Sequence, residues 1–280
     1  MGSGNGKGTK STTQAKAVLK VQPSLSFSTI KKETFYRWLE APATFSGESF
    51  PDSHLRRLLM IRFPFAVAAV LCLCTTWIEA DDKPFVPDAG YTSLFDGKTL
   101  KGWKGSLNGF AVEEGNLVCV AGGKGNLLTE KTYSDFDIKF EFKLTAGANN
   151  GLGIRSPEVA EGNLHLEGIE LQILDDSAEK YQTLKPYQYH GSVYGVVAAK
   201  KGSLEPVGEW NRQQVTVRGR HIKVVVNDTT IVDADLDAAA AGGTLDGQPH
   251  PGLTRASGYI GLLGHGDRVE FRRLQIKTLP

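Results

Sequence analysis

The sequence predicts an all-β protein over residues 90–280, built as an antiparallel sandwich or barrel. Short runs of alternating apolar and polar residues recur at roughly 8–12-residue spacing between turn signals, which is typical of such folds. No long helical pattern is present in this region. The clearest run, FDIKFEFKL, places five apolar residues on one face: Phe136, Ile138, Phe140, Phe142 and Leu144.

Four runs are predicted to be strands of two packed antiparallel sheets: Phe136–Leu144, Ile169–Leu174, Gln214–Val217 and Ile222–Val226. Side chains alternate along a strand, so Glu170 and Gln172 share one face of the second run. Its other face carries only apolar residues: Ile169, Leu171 and Ile173. We expect the apolar face to be core and the polar face to line a groove.

The last part of the domain is predicted from its turns. Arg218-Gly219-Arg220 indicates a hairpin, and Asn227-Asp228 turns the chain into a strand at Thr230–Val232. Ala238–Ala241 is predicted to form one helical turn at the start of a surface loop that ends at Gly252. Two further strands are expected at Gly258–Leu263 and Val269–Lys277. In the last strand the apolar parity switches, which predicts a β-bulge near Arg272-Arg273.

The first 80 residues differ from the rest. Residues 1–59 are mostly polar and are predicted to be a disordered leader. Residues 60–80 have the order of a secretory signal: Arg62, an apolar run from Phe63 to Cys74, and a cleavage position after Ala80. Translation that begins at Met60 would explain the polar stretch, and a genuine extended leader or a signal anchor are the alternatives. Residues 81–89 form a linker, and we expect a secreted or periplasmic protein.

Charge and cysteine content exclude several classes of protein. Residues 1–80 hold 10 basic and 5 acidic residues, which leaves 22 and 26 of the totals of 32 and 31 for the mature chain. A mildly acidic domain with no basic stripe is a poor nucleic-acid binder. Cys119 is the one cysteine after the leader, so no internal disulfide is expected. The apolar run is also short for a membrane span, and none is expected in the mature protein.

Between Asn149 and Tyr194 the chain is rich in polar groups that suit a polyhydroxylated ligand. Arg155 follows a glycine-rich strand and can present a forked donor, or it forms a surface salt bridge. His190 is a candidate proton acceptor near neutral pH, or a hydrogen-bonded core histidine. Other candidates have simple alternatives as strand, turn or packing residues: Glu170, Gln172, Asp175, Tyr194, Trp210 and His265. Asp175 with Asp176 and Glu170 could also bind a divalent cation, although no established metal motif is present.

Six segments occur in the order found in a known family. They are FDGKTLKGW (Phe95–Trp103), YSDFDIKFEFK (Tyr133–Lys143), IELQILDD, GSVYG, GEWNRQQVTVRG (Gly208–Gly219) and GYIGLLGHGDRVEFRRLQIK. The chain from Gly90 to Leu279 resembles the bacterial 3-keto-disaccharide hydrolase domain family. The resemblance implies a concanavalin-A-like jelly-roll sandwich, export, and cleavage of glycosides already oxidised to a 3-ketone. Where the family usually has Gln-Asp before the His-Gly near its end, this chain has Leu263-Gly264.

The implied reaction needs one base, one donor for an enolate and groups that hold the sugar ring. We assign the base to His190 or Glu170 and the enolate-stabilising role to Arg155, and we expect these three residues to converge on one concave face of the sandwich. Substrate binding is assigned to Gln172, Asp175, Tyr194, Trp210 and His265. The sequence indicates no definite cofactor beyond the divalent cation considered above, and a carbohydrate is the expected partner. A lectin-like binding module and an ordinary two-carboxylate glycosidase are the alternatives.

Overall fold

The computed structural model describes residues 84–158 and 163–280. The predicted leader, the signal sequence and residues 81–83 of the linker lie outside these ranges. Among the described residues, no helix is both long enough and apolar enough to cross a membrane.

Thirteen strands and two short helices are present in the described part of the chain. The strands are β1 Thr92–Ser93, β2 Trp103–Gly105, β3 Phe110–Glu113, β4 Asn116–Cys119, β5 Lys124–Tyr133, β6 Phe136–Leu144, β7 Asn149–Ser156, β8 Ile169–Leu174, β9 Trp210–Arg218, β10 His221–Val226, β11 Thr229–Asp235, β12 Gly258–His265 and β13 Val269–Thr278. The α-helices are α1 Leu164–Glu167 and α2 Leu236–Ala240, and short 3-10 helices span Leu107–Gly109, Glu179–Tyr181, Pro186–Gln188 and Pro251–Thr254.

The strands form two antiparallel sheets packed as a sandwich. One sheet has eight strands, with the order β11-β10-β9-β6-β13-β4-β3 and with β1 beside β13. The other has five strands, in the order β2-β5-β12-β7-β8. The non-sequential strand order is that of a jelly roll, and the predicted concanavalin-A-like all-β sandwich is confirmed.

Strand alternation builds the core as predicted. Phe140 and Phe142 point from β6 into the space between the sheets, where they are 2% and 0% exposed. On the opposite sheet, Leu171 of β8 belongs to the same buried cluster, together with its two apolar neighbours on that face. Cys119 is free and buried, so packing rather than a disulfide stabilises the described domain.

The predicted turns and bulge are also present. The β10–β11 hairpin turns at Asn227 and Asp228, whose φ angles of 47° and 67° suit the two-residue turn that follows the twist of paired strands. The pairing of β13 with β6 shifts register between Arg272 and Gln275. This is the predicted bulge, and it explains why apolar residues change parity along β13.

The outer face of the five-stranded sheet carries the polar groups of interest. Gly153 of β7 pairs with Glu170 of β8, and Gly151 pairs with Gln172. Beyond β8 the segment 191–194 continues the sheet, because the Tyr194 N–H donates to the Glu170 carbonyl oxygen at 2.9 Å. Since directly paired residues point to the same side, Tyr194 and Glu170 lie next to each other on this face.

Candidate functional site

Glu170 and His265 meet on the outer face of the five-stranded sheet. Glu170 Oε1 lies 3.6 Å from His265 Nε2. The Glu170 side chain is 6% exposed, whereas the His265 side chain is 43% exposed. A shielded carboxylate beside a solvent-reachable imidazole can exchange protons with a bound molecule at this surface.

A glycine in the neighbouring strand makes this arrangement possible. The Glu170 side chain folds across β7, where a Cβ on Gly151 would overlap Oε1 and would lie 2.9 Å from the Glu170 Cδ. The strand order places β12, which ends at His265, on the far side of β7. A glycine at position 151 therefore lets the carboxylate cross β7 toward the imidazole.

The pair also changes the titration of the imidazole. The neighbouring Glu170 carboxylate raises the pKa of His265; partial burial opposes this, while the charge of Asp267 adds to it. The net pKa lies above the usual value of 6.5. His265 is therefore positively charged over a wider pH range than a free histidine and can donate a proton or a hydrogen bond.

Amide side chains surround the Glu170 carboxylate. Gln172 and Asn126 lie on the same outer face and are 5% and 6% exposed. Three buried amide atoms on this face have no hydrogen-bond partner among the described residues: Gln172 Oε1, Asn126 Nδ2 and Asn149 Oδ1. A buried polar atom without a partner costs about 1–3 kcal/mol, which hydrogen bonds to a ligand's hydroxyl groups would offset.

Aromatic rings bound the face beside Glu170. The Tyr194 ring packs edge-on with His165 at 5.3 Å and with Tyr187 at 6.0 Å between centroids. Gln188 Nε2 donates to the Tyr194 hydroxyl at 2.8 Å. We call Tyr194, His165 and Tyr187 the aromatic wall. Partly exposed rings next to polar groups are suited to pack against a sugar ring while neighbouring groups bind its hydroxyls.

His190 does not face this surface, contrary to the expectation that it shares a substrate with Glu170. Its ring stacks on Phe142 between the sheets at 5.0 Å, and its Nδ1 accepts a hydrogen bond from the Leu174 N–H at 3.3 Å. Burial lowers the pKa of His190 from 6.5 to about 4. The loop that follows β8 turns this side chain inward, so it has the surroundings of a neutral core histidine.

Arg155 lies away from Glu170, and the expected convergence of Arg155, Glu170 and His190 is not found. Arg155 has a φ angle of 48° at the end of β7 and is 1% exposed. Its guanidinium donates to Asp135 Oδ1 at 3.1 Å and to the Ser134 carbonyl oxygen at 3.2 Å. The side chain joins β7 to the β5–β6 turn, where it also lines a cavity of about 570 Å³.

Trp210 and Asp175 are also separated from the Glu170–His265 pair. Trp210 lies on the eight-stranded sheet, where the Arg272 guanidinium lies 3.9 Å from its ring centroid. Asp175 follows β8 and accepts hydrogen bonds at 2.5 Å from the Ser177 hydroxyl and at 2.7 Å from the Gly147 N–H. Those contacts fix two turns, and the Asp175 carboxylate binds groups of the protein in both of them. Of the predicted residues, Glu170, Gln172, Tyr194 and His265 are brought together.

The described residues contain no group of three or more His, Cys, Asp or Glu side chains arranged to hold a metal ion. The cation site suggested for Asp175, Asp176 and Glu170 has no geometric support, because the Asp175 carboxylate is turned to Gly147 and Ser177.

Sequence reasoning missed Asn126, Asn149, Tyr187 and His165. Parity with Leu128 on β5 would have placed Asn126 on the outer face. The other residues depend on contacts between distant segments.

Titration of individual histidines tests the Glu170–His265 pair. His265 should titrate above 6.5, and its pKa should fall when Glu170 is replaced by Gln. Because the folded pKa is raised, the pair's contribution to stability is complete below the unfolded-state pKa and is lost as pH rises through the folded pKa. Histidine NMR measures this directly. An unchanged His265 pKa in E170Q would contradict the pairing, and the exposed His221 serves as the reference ring.

Substitution of Gly151 by Ala tests the crossing of β7. The added Cβ should displace the Glu170 carboxylate, at a cost near the low end of the about 1–3 kcal/mol typical of overpacking, because the end of a side chain can move. The His265 pKa should then fall toward its ordinary value. Gly153→Ala is the control, since its Cβ would meet Ser156 Oγ at 2.8 Å and not Glu170. An equal pKa change in both variants would argue against a specific role for Gly151.

Comparison with known proteins places the domain among carbohydrate-related sandwiches. Residues 90–277 match the family described as a 3-keto-alpha-glucoside-1,2-lyase-like domain. A 3-keto-disaccharide hydrolase from Bacteroides thetaiotaomicron is 27% identical over 240 residues, which cover 72% of this chain and 83% of that protein.

Two crystal structures from Parabacteroides distasonis, each described as a glycosyl hydrolase, are also similar. One is 28% identical with a TM-score of 0.60, and the match covers 68% of this chain and 99% of that one. The other is 26% identical with a TM-score of 0.62, and the match covers 71% and 100%. The match thus extends over nearly the whole of both solved domains.

Proposed function

Because this chain belongs to the 3-keto-alpha-glucoside-1,2-lyase-like domain family, we propose that it cleaves the glycosidic bond of 3-keto-glycosides by elimination. The observation that carries the proposal is the Glu170–His265 pair at 3.6 Å on an open sheet face. The relative from Bacteroides thetaiotaomicron, a 3-keto-disaccharide hydrolase, supports the same substrate class.

The chemistry of a 3-keto sugar explains why one carboxylate and one donor suffice. The ketone makes the C2 proton acidic, since the electron pair left at C2 delocalises onto the C3 oxygen. Removal of that proton and stabilisation of that oxygen involve adjacent carbons of one ring. A base and a donor must therefore lie side by side, and Glu170 and His265 are placed in this way.

We assign the base to Glu170. Its carboxylate takes the C2 proton, and protonated His265 donates a hydrogen bond to the developing enolate oxygen at C3. The enolate electrons then form a C1–C2 double bond as the bond from C1 to the aglycone oxygen breaks. That oxygen takes a proton from water, and the hydroxide that remains takes the proton from Glu170, which restores the carboxylate. Addition of water across the double bond, with OH at C1 and H at C2, gives the free 3-keto sugar.

This assignment replaces two of the roles first considered. The donor role moves from Arg155 to His265, because Arg155 is held by Asp135 at the end of β7. His190 receives no role, because it is enclosed between the sheets. Gln172 and the aromatic wall hold the ring of the substrate. An ordinary glycosidase would need a second carboxylate about 5–10 Å from the first, whereas the group that lies 3.6 Å from Glu170 is an imidazole.

The predicted signal sequence would carry the protein across the cytoplasmic membrane, so the reaction would take place outside the cytoplasm. We propose export on that basis. Sequencing the N-terminus of protein recovered from the periplasm or the medium tests it, and a mature protein that begins at Met1 would contradict it.

Paired substrates test the activity. The purified protein is incubated with a 3-keto-α-glucoside and with the same glucoside before oxidation, and release of the aglycone is measured. The proposal expects release from the oxidised substrate alone, with transient ultraviolet absorbance from the unsaturated ketone. Equal binding of both sugars without release would instead indicate a lectin-like module. Release from the non-oxidised parent would indicate an ordinary glycosidase.

A further inference from the structure

A buried ion pair lies behind the aromatic wall. Asp246 and His250, in the loop after α2, have side chains that are 11% and 2% exposed. His250 Nε2 lies 3.0 Å from Asp246 Oδ2 and 3.1 Å from Oδ1. The other ring nitrogen, Nδ1, lies 3.1 Å from the carbonyl oxygen of His165.

The partners of His250 hold its ring at both nitrogens. A carbonyl oxygen accepts hydrogen bonds and cannot donate, so Nδ1 must carry a hydrogen. Burial raises the pKa of Asp246, but hydrogen bonds from the Gln248 N–H and from His250 outweigh it, and the net pKa is lower than usual. The Asp246 carboxylate and the His165 carbonyl oxygen therefore fix the ring from its two sides.

The Asp246–His250 pair contacts the two segments that carry Tyr194 and His165 of the aromatic wall. On one side, a Cβ on Gly195 would overlap Asp246 Oδ2 and would lie 2.7 Å from His250 Nε2, so the chain directly after Tyr194 packs against the pair. The Asp246 N–H also donates to the Gly195 carbonyl oxygen at 3.2 Å. On the other side, His250 holds the backbone of His165, whose ring packs on Tyr194.

The same loop approaches the chain on the N-terminal side of Glu170. The 3-10 helix Pro251–Thr254 follows His250, and a Cβ on Gly252 would overlap the carbonyl oxygen of Gly168. Gly168 ends α1 and lies two residues before Glu170. The loop thus fixes α1 against β8 and fixes the turn after Tyr194.

We propose that Asp246 and His250 are positioning residues that set the distance between the aromatic wall and the Glu170 carboxylate. Neither contacts the substrate. The pair holds His165 and the backbone after Tyr194 in one arrangement, so that a sugar ring on the wall presents C2 to Glu170. The role in catalysis rests on the proposed function, whereas the effect of the pair on the order of the two segments does not.

The test compares Asp246→Asn, His250→Gln and the double variant. Each single variant removes one partner of the Asp246–His250 pair, whereas the double variant leaves two neutral amides that can bond to each other. We expect kcat/KM for a 3-keto-glucoside to fall about tenfold or more in the single variants, because a displaced ring no longer presents C2 to Glu170. The pH dependence of kcat should not change, since the pair contacts neither the substrate nor the reacting groups, and the double variant should recover part of the loss. The exposed His221–Asp233 pair, 49% and 51% exposed, supplies matched controls in His221→Gln and Asp233→Asn.

Hydrogen exchange separates this proposal from the proposed function. Amides of residues 163–168 and 192–196 should exchange faster in the single variants than in the wild type or the controls, whether or not any substrate is turned over. Additive losses in the double variant, or a changed pH dependence of kcat, would overturn a positioning role. Unchanged exchange in both segments would do the same. If the wild type has no activity but the single variants show the expected faster exchange, only the proposed function is refuted.

Discussion

Replacing Glu170 by Gln should abolish most of the turnover of a 3-keto-glucoside while leaving the domain folded. An amide cannot accept the C2 proton, and loss of a positioned general base lowers rates by about 100- to 10,000-fold. Gln has nearly the same shape as Glu, so the side chain can still lie over Gly151. Aglycone release measured at saturating substrate gives the change in kcat, and circular dichroism checks the fold.

Glu167→Gln is the matched control for this substitution. Glu167 lies at the end of α1 on an exposed surface and undergoes the same chemical change. Wild-type kcat is expected for that variant. If E170Q retained more than about one tenth of the wild-type kcat, well above the residual rate expected without a base, Glu170 would not be the base.

Replacing Phe140 by Ala should cost about 3–5 kcal/mol of unfolding free energy. Phe140 is 2% exposed, and its ring centroid lies 6.0 Å from Phe142 and 6.2 Å from Phe271. Close packing lets the surrounding side chains relax only in part, so a cavity remains and adds to the lost burial of the ring. Equilibrium unfolding in urea measures the change.

Val86→Ala is the control for this measurement, because Val86 is an apolar residue that is 80% exposed. Its substitution should change the unfolding free energy by less than about 0.5 kcal/mol. A cost for Phe140→Ala as small as that of Val86→Ala would contradict the packing of β6 against the opposite sheet.

The parts of the fold that follow a local period could be predicted from the sequence. Alternation identified β6 and β8, and the parity switch in the last strand identified the bulge near Arg273. The same rule placed Glu170 and Gln172 opposite the core face. The side chains of a strand point to one of two faces. When one face packs on the core, the pattern of apolar residues shows which side chains point to it.

The partners of these residues could not be predicted in the same way. His265 reaches Glu170 only because β7 lies between β12 and β8, and strand order does not follow from alternation. His190 lies in a loop, where no period indicates the direction of a side chain. Arg155 has a left-handed backbone at a register shift, so its side chain departs from the strand's alternation. The Asp246–His250 pair depends on how a long loop folds back on α1.

Carrying out the reaction in deuterium oxide tests most directly whether cleavage proceeds by removal of the C2 proton at the Glu170–His265 pair. Early in the reaction, the released 3-keto sugar is analysed by mass spectrometry and NMR, with exchange into the free product measured separately and subtracted. The elimination predicts deuterium at C2 in step with release of the aglycone, and loss of both in E170Q. Release of the aglycone at the wild-type rate with hydrogen retained at C2 would contradict the proposed mechanism, because there the C2 proton passes from Glu170 to solvent before water adds.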